Sequence, residues 1–140
     1  MKSLSVKLGV LFIGLIAFTH SRVWGTDWKF VGTTVDHFVY YDAEDITRPS
    51  KNVVGVWEKI VYTDKPVINR VGKFGSHYAT VEYTLNLWEF NCTDGTSRLL
   101  TTNSFSKDGE VLQSSNYTAA EWEFIPRDSI RKALYETVCK

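Results

Sequence analysis

The sequence contains two cysteines, Cys92 and Cys139, and their positions constrain the fold more than any other feature. Cys92 follows the longest run that is typical of a β-strand, and Cys139 follows an apolar helical pattern near the end of the chain. A disulfide between them would attach a C-terminal helix to a sheet. Closing a loop of about 48 residues would stabilise the fold by about 4 kcal/mol in the chain-entropy model. A reactive or metal-binding pair is the weaker alternative, because no further ligand residues cluster nearby.

The C-terminal segment has a clear helix start. Pro126 interrupts the strand pattern before it, and Asp128 or Ser129 can cap the first free backbone N–H groups. On an ideal helix Cys139 would point away from the apolar stripe, so we expect the helix to end just before it. The residues that recur at helical spacing in this stripe are Ile130, Ala133, Leu134, Thr137 and Val138.

The first 25 residues have the pattern of a secretory signal peptide. Lys2 and Lys7 accompany an uncharged, mostly apolar run at residues 8–18, which is too short to span a bilayer as a helix. Small residues favour cleavage after Gly25, and cleavage after Ser21 is the alternative. An uncleaved N-terminal anchor is the competing interpretation.

Residues 26–140 have the size of one domain with one core. The full chain has 16 basic and 16 acidic residues, and the signal peptide contains three of the basic ones and none of the acidic ones, which leaves a net charge of −3. This balance argues against nucleic-acid binding, which requires a basic surface. No cysteine near the cleavage sites could carry a lipid, and no later segment is long and apolar enough to cross a membrane.

The domain is predicted to be an α+β fold built on an antiparallel sheet. Runs rich in aromatic and β-branched residues predict strands, and Asp94-Gly95 and Asp108-Gly109 predict hairpin turns. Because no helix is predicted between strands, we expect six or seven antiparallel strands with the C-terminal helix packed on one face. The predicted strands are 28–34, 37–42, 53–63, 77–91, 96–105, 111–117 and 121–124.

Two stretches depart from a simple strand pattern. Residues 43–52 are polar and contain Pro49, which predicts a loop. In the strand before Cys92, the apolar positions change from one side of the strand to the other. A β-bulge near Leu87 or Trp88 would place Cys92 on the core side. A sheet that is covered differently at its two ends is the alternative.

The longest irregular segment, residues 64–76, carries a group of basic side chains. Its charge could steer an acidic partner, and a solvated loop without that role is the simpler alternative. The candidate partner-binding residues in this segment are Lys65, Arg70 and Lys73.

The sequence predicts no catalytic residue and no metal site. His37 and His77 are forty residues apart and lack the spacing of metal ligands. No phosphate-binding loop, nucleophile elbow or zinc-protease motif occurs. We therefore expect a non-enzymatic protein that uses no cofactor. Four predicted strands each contain one tryptophan. We expect these side chains to pack in the core, and an exposed protein-binding patch is the alternative. The four are Trp28, Trp57, Trp88 and Trp122.

Several short motifs occur in a characteristic order along the chain. They are Tyr40-Tyr41-Asp42, Val56-Trp57-Glu58-Lys59, Asn91-Cys92, residues 108–114 and residues 122–139. Together they resemble the surface-adhesin protein E family of exported bacterial domains. The resemblance implies a six-stranded antiparallel sheet with a disulfide-tethered C-terminal helix, in a protein of the Gram-negative envelope. For the member that named the family, it implies attachment to host extracellular-matrix and serum proteins such as laminin, vitronectin and plasminogen.

Two binding functions remain open on the sequence, and an enzyme of unrecognised type is the third alternative. The first is an exported binding module, located in the periplasm or on the cell surface, that attaches to such host proteins. The second is a soluble periplasmic protein that binds a small ligand or assists envelope assembly. The namesake adhesin is a lipoprotein, whereas this chain lacks the cysteine that would carry the lipid. A homodimer is compatible with either function.

Overall fold

The computed structural model describes residues 26–63 and 81–140. The predicted signal peptide at residues 1–25 lies outside the described residues, as do His77 and the basic residues Lys65, Arg70 and Lys73. The described elements are β1 (Trp28–Thr33), β2 (His37–Ser50), β3 (Val53–Tyr62), β4 (Tyr83–Asn91), β5 (Thr96–Phe105), β6 (Val111–Asn116), β7 (Glu123–Phe124) and α1 (Ile130–Val138).

The strands form one antiparallel sheet in which β1 to β6 lie side by side in sequence order. β7 has two residues and pairs with the end of β5 that extends beyond β6. Gly95 and Gly109 have φ values of 67° and 81°, which glycine adopts at little cost and which both predicted hairpin turns require. The predicted six-stranded antiparallel sheet with a C-terminal helix is confirmed.

The helix α1 packs on one side of the sheet, which we call the helix side. Its Leu134 and Val138 are buried against Val54, Val56 and Phe90 of the sheet. Burying side chains of this size contributes about 1.5–3 kcal/mol each. Within the described part of the chain, no helix combines the length and apolar character needed to cross a bilayer.

Both ends of α1 are fixed by specific contacts. Ser129 is the N-cap, and its Oγ accepts a hydrogen bond from the backbone N–H of Lys132 at 3.1 Å. The helix ends at Val138, as expected, and the predicted disulfide joins Cys92 to Cys139 with their Cα atoms 5.4 Å apart. The hydroxyl of Tyr135 also donates to the carbonyl of Cys92 at 2.9 Å. These contacts attach α1 to the end of β4.

The strand β2 is longer than predicted. It continues to Ser50, and the prediction of a loop at residues 43–52 is wrong. Beyond Asp42, β2 no longer pairs with β1, so its second half lies at the edge of the sheet formed by the described residues. Pro49 lies where the register between β2 and β3 shifts. Proline is tolerated on edge strands and at irregularities of this kind.

The strand β4 begins at Tyr83 and contains no bulge, although its apolar positions change sides. It pairs with β3 without interruption. The extra residue is Leu100 of β5, because Leu87 pairs with Thr101 and Trp88 pairs with Leu99. The even-numbered residues of β4 therefore all lie on the helix side, which is apolar beside α1 and polar at the far end. The predicted bulge is therefore present opposite Leu87 and Trp88, but its extra residue belongs to β5. It does not move Cys92 to the other side of the sheet, and the alternative of unequal coverage is correct.

Candidate functional site

The side of the sheet away from α1, which we call the open side, carries a row of apolar residues across five strands. The register pairs each member of this open-side row with the next, and Tyr83 and Phe105 stack with their ring centroids 4.8 Å apart. The two ends of the row reach solvent, since Phe38 is 40% exposed and Val111 is 59% exposed. The open-side row consists of Phe38, Val61, Tyr83, Phe105 and Val111.

Further aromatic side chains extend this surface toward β1. Phe30, which is 58% exposed, contacts Tyr40 edge-on with a centroid distance of 5.7 Å. The ammonium group of Lys59 lies 4.8 Å from the ring of Tyr83 and 5.6 Å from that of Trp28. Exposed aromatic side chains supply much of the binding energy at protein–protein interfaces. The open side therefore has the composition of a protein-binding surface.

A cavity of about 370 Å³ lies on the same side of the sheet. Its apolar walls come from Trp28, Trp57 and Leu85, and we call it the tryptophan cavity. Indole rings attract cations through their electron-rich faces. The cavity is also lined by three acidic residues, which are Asp42, Glu44 and Asp45.

The acidic residue Asp42 is held in place although it is only 4% exposed. Its Oδ1 accepts hydrogen bonds from the backbone N–H groups of Asp27 at 3.1 Å and of Glu44 at 3.0 Å. These bonds compensate for burial of the carboxylate and fix it beside the indole rings. Aromatic walls with fixed negative charge suit the side chain of a lysine or arginine from a partner.

A polar cluster at the turn between β1 and β2 resembles catalytic residues only in composition. Thr34 Oγ1 and Asp36 Oδ1 both contact Nδ1 of His37 at 2.8 Å. In a hydroxyl–histidine–carboxylate relay, the hydroxyl and the carboxylate contact different ring nitrogens. The cluster is therefore not arranged as a catalytic triad.

Asp36 in this cluster has a shifted pKa. Burial raises the pKa of its carboxyl group, but hydrogen bonds from Thr34 and His37, together with the charge of His37, outweigh that effect. The pKa of Asp36 is therefore below its usual value of 3.8. The cluster therefore stabilises the turn between β1 and β2. Within residues 26–63 and 81–140, no group of three or more His, Cys, Asp or Glu side chains could hold a metal ion.

The structure separates the four tryptophans that the sequence singles out. Trp28 and Trp57 share the tryptophan cavity on the open side. Trp88 lies on the helix side beneath the guanidinium of Arg131, at 4.4 Å from the ring centroid. Trp122 lies 4.4 Å from the guanidinium of Arg98, which pairs with Glu89. Trp28 and Trp57 therefore belong to the tryptophan cavity, whereas Trp88 lies on the opposite side of the sheet.

The sequence matches one family model, described as surface-adhesin protein E, over residues 28–140. The chain belongs to the surface-adhesin protein E family. A search of curated proteins and a search of solved structures each gave no match. As a protein E family member, the chain is a surface-adhesin-like module, and this membership favours a binding role over an enzymatic one. The disulfide fits the exported location that the family indicates, because disulfides persist in oxidising compartments.

Proposed function

We propose that this protein is an exported, non-enzymatic adhesin that attaches to host extracellular-matrix or serum proteins through the open side of its sheet. The observation that carries the proposal is the open-side row together with the neighbouring exposed Phe30. Laminin, vitronectin and plasminogen are the partners to test first, because the resemblance to the protein E family implies them for its namesake.

The composition of the open side supports binding to a protein that presents both apolar and basic side chains. Burying Phe30 and Phe38 against a partner would contribute about 1.5–3 kcal/mol for each side chain. The tryptophan cavity would receive a lysine or arginine side chain beside Asp42. The basic residues Lys65, Arg70 and Lys73 remain candidates for steering an acidic region of the same partner.

Export is part of this proposal. The family and the disulfide support an exported protein, and we propose that residues 1–25 direct export. N-terminal sequencing of the secreted chain decides between cleavage after Gly25 and cleavage after Ser21. Protease treatment of intact cells, with a periplasmic protein as control, distinguishes display on the cell surface from retention in the periplasm.

The binding site is tested by removing aromatic side chains from the open side. The variant Phe30→Ser with Phe38→Ser should bind immobilised partner at least about tenfold more weakly than the wild type, because about 1.4 kcal/mol corresponds to a factor of ten. Biolayer interferometry on laminin, vitronectin and plasminogen measures the change.

A matched control is available on the same chain. Phe124 is 84% exposed and pairs with Thr96, at the far end of β5 from Phe105. At about 3.4 Å per residue, the two ends of β5 are about 30 Å apart. The variant Phe124→Ser should therefore bind like the wild type. Unchanged binding by the Phe30 and Phe38 variant, or no binding of any of the three partners by the wild type, would contradict the proposal.

A further inference from the structure

The helix side holds a second cavity, of about 580 Å³, at the polar end of the sheet. Two directly paired positions of β4 and β5 form part of its lining, Thr84 with Ser104 and Asn86 with Thr102. Arg131 of α1 lines it as well. The volume lies within the range of about 300–1,000 Å³ that is typical of small-molecule sites. We call it the helix-side cavity.

The floor of the helix-side cavity is a network of buried hydrogen bonds. Thr102 Oγ1 donates to Asn86 Oδ1 at 2.7 Å, and Asn86 Nδ2 donates to Glu58 Oε1 at 2.9 Å. Trp88 Nε1 donates to the same carboxylate oxygen at 3.0 Å. Glu58 and Asn86 are 6% and 7% exposed. The network compensates for burial of these polar groups and fixes their orientation.

Stability alone does not require polar residues at this position. Toward the other end of β3 and β4, the same side of the sheet carries the buried apolar residues Val54, Val56 and Phe90. Apolar side chains of the same shape would replace a buried polar network at little or no cost in stability. A polar floor beneath an open cavity therefore indicates a ligand site, because departures from simple packing concentrate at functional sites.

The groups in the lining define the class of ligand. Hydroxyl and carboxamide groups both donate and accept hydrogen bonds, as the hydroxyl groups of a sugar do. Arg131 is charged and stacks on the face of Trp88 at 4.4 Å, while the carboxylate of Glu58 accepts from the N–H at the edge of that indole. The charges of Arg131 and Glu58 have opposite signs, which favours a neutral ligand. The polar lining residues that would contact it are Thr84, Asn86, Thr102, Ser104 and Tyr117.

We propose that the helix-side cavity binds a neutral saccharide unit. Its hydroxyl groups bond to the polar floor, and its ring packs beside Trp88 and Tyr117. Tyr117 is 44% exposed, so the cavity is open to solvent at this residue. A neighbouring cavity, also of about 580 Å³, shares Trp88, Leu99 and Tyr117 with the helix-side cavity and leaves room for a longer saccharide chain. The site lies on the side of the sheet opposite the open-side row and does not depend on the function proposed there.

Nuclear magnetic resonance tests the site directly. The indole N–H of Trp88 gives a separate signal, which Trp88→Phe identifies, and free glucose, galactose, mannose and N-acetylglucosamine are the probes. At least one should shift the Trp88 signal in a saturable way and leave the signals of Trp28 and Trp57 on the open side unchanged. Glucuronate is the charged comparison and should bind more weakly. No saturable shift at millimolar sugar, or tighter binding of glucuronate than of every neutral sugar, would overturn the proposal.

Two neighbouring threonines provide a matched pair of variants. Thr102 lies on the helix side, and Thr101 pairs with Leu87 on the open side of the same strand. Thr102→Val should weaken sugar binding about tenfold through the loss of one hydrogen bond, whereas Thr101→Val should not. If Thr102→Val does not fold, Tyr117→Ser removes an exposed lining residue and should have the same effect. Equal affinity in the lining variant and Thr101→Val would overturn the site.

The same signal distinguishes the source of the sugar. If the ligand is the end of a glycan, a glycoprotein that carries the preferred sugar should shift the Trp88 signal. The same glycoprotein should give no shift after enzymatic deglycosylation. A shift with the free sugar alone identifies a free saccharide as the ligand. Partner binding that is lost in the Phe30 and Phe38 variant while the Trp88 response persists separates the two sides of the sheet.

Discussion

Removing the Cys92–Cys139 disulfide tests how α1 is held on the sheet. We consider the variant Cys92→Ser with Cys139→Ser, which opens a bridge between positions 47 residues apart. The chain-entropy model gives a loss of about 4 kcal/mol for a loop of this length. Average unfolding entropies give about 0.24 kcal/mol per kelvin for residues 26–140, so the Tm should fall by about 17 °C.

The variant should still fold at room temperature. Leu134 and Val138 keep their places in the core, and the hydroxyl of Tyr135 still donates to the backbone carbonyl of residue 92. Domains of this kind are typically stable by about 5–15 kcal/mol, so a loss of about 4 kcal/mol lowers the margin without removing it in most of that range. The expected result is therefore a lower Tm with an unchanged circular dichroism spectrum at low temperature.

Thermal melting followed by circular dichroism measures the effect, and reduction provides the control. The wild type melted in a phosphine reductant should match the double variant, and the reductant should leave the double variant unchanged. If both reduction and substitution lower the Tm by less than about 5 °C, the entropic term is much smaller than calculated. Packing of Leu134 and Val138 would then hold α1 in place, and the reasoning from loop closure would be refuted.

Two further predictions concern charge. Reversing Lys65, Arg70 and Lys73 to glutamate should weaken partner binding and reduce the dependence of the affinity on salt. Interferometry at low and high ionic strength measures both effects. If neither changes, these residues have no part in the binding mechanism. The pKa of Asp36 in the folded chain lies below the usual 3.8, so its carboxylate stabilises the turn above that pH, and the stabilisation is lost as the pH falls through the folded pKa. Asp36→Asn should therefore lose less stability on acidification than the wild type, and parallel curves of denaturation midpoint against pH would contradict this.

The sequence predicts most of the fold because local signals and the cysteine count agree. The two Asp-Gly pairs mark hairpins whose glycines adopt positive φ, and Ser129 caps a helix whose stripe includes Leu134. The second half of β2 is missed because Pro49 and its polar neighbours also describe a loop. Residues 43–50 are compatible with a strand only because that half of β2 lies at a sheet edge. The edge position depends on where β1 stops pairing with β2.

The candidate sites are harder to predict because they depend on register. The alternation through Tyr83, Leu85 and Leu87 predicts a buried face, but in the structure these residues lie on the open side. Phe38 and Val111 come together with Tyr83 only because four successive strand pairings align them in one row. Similarly, the extra residue at the register shift opposite Leu87 and Trp88 belongs to β5 and not to β4. No pattern within a single strand contains this information.

The order of the strands has a consequence for how the chain is made. Each of β1 to β6 pairs with its sequence neighbours, so a chain synthesised from its N-terminus can form successive hairpins as they appear. Cys92, in contrast, has no partner until the residue 47 positions later has been added. The thiol at the end of β4 therefore cannot form this disulfide until Cys139 is present. A chain interrupted before α1 lacks the internal disulfide, and the presence of that bond distinguishes finished molecules from unfinished ones.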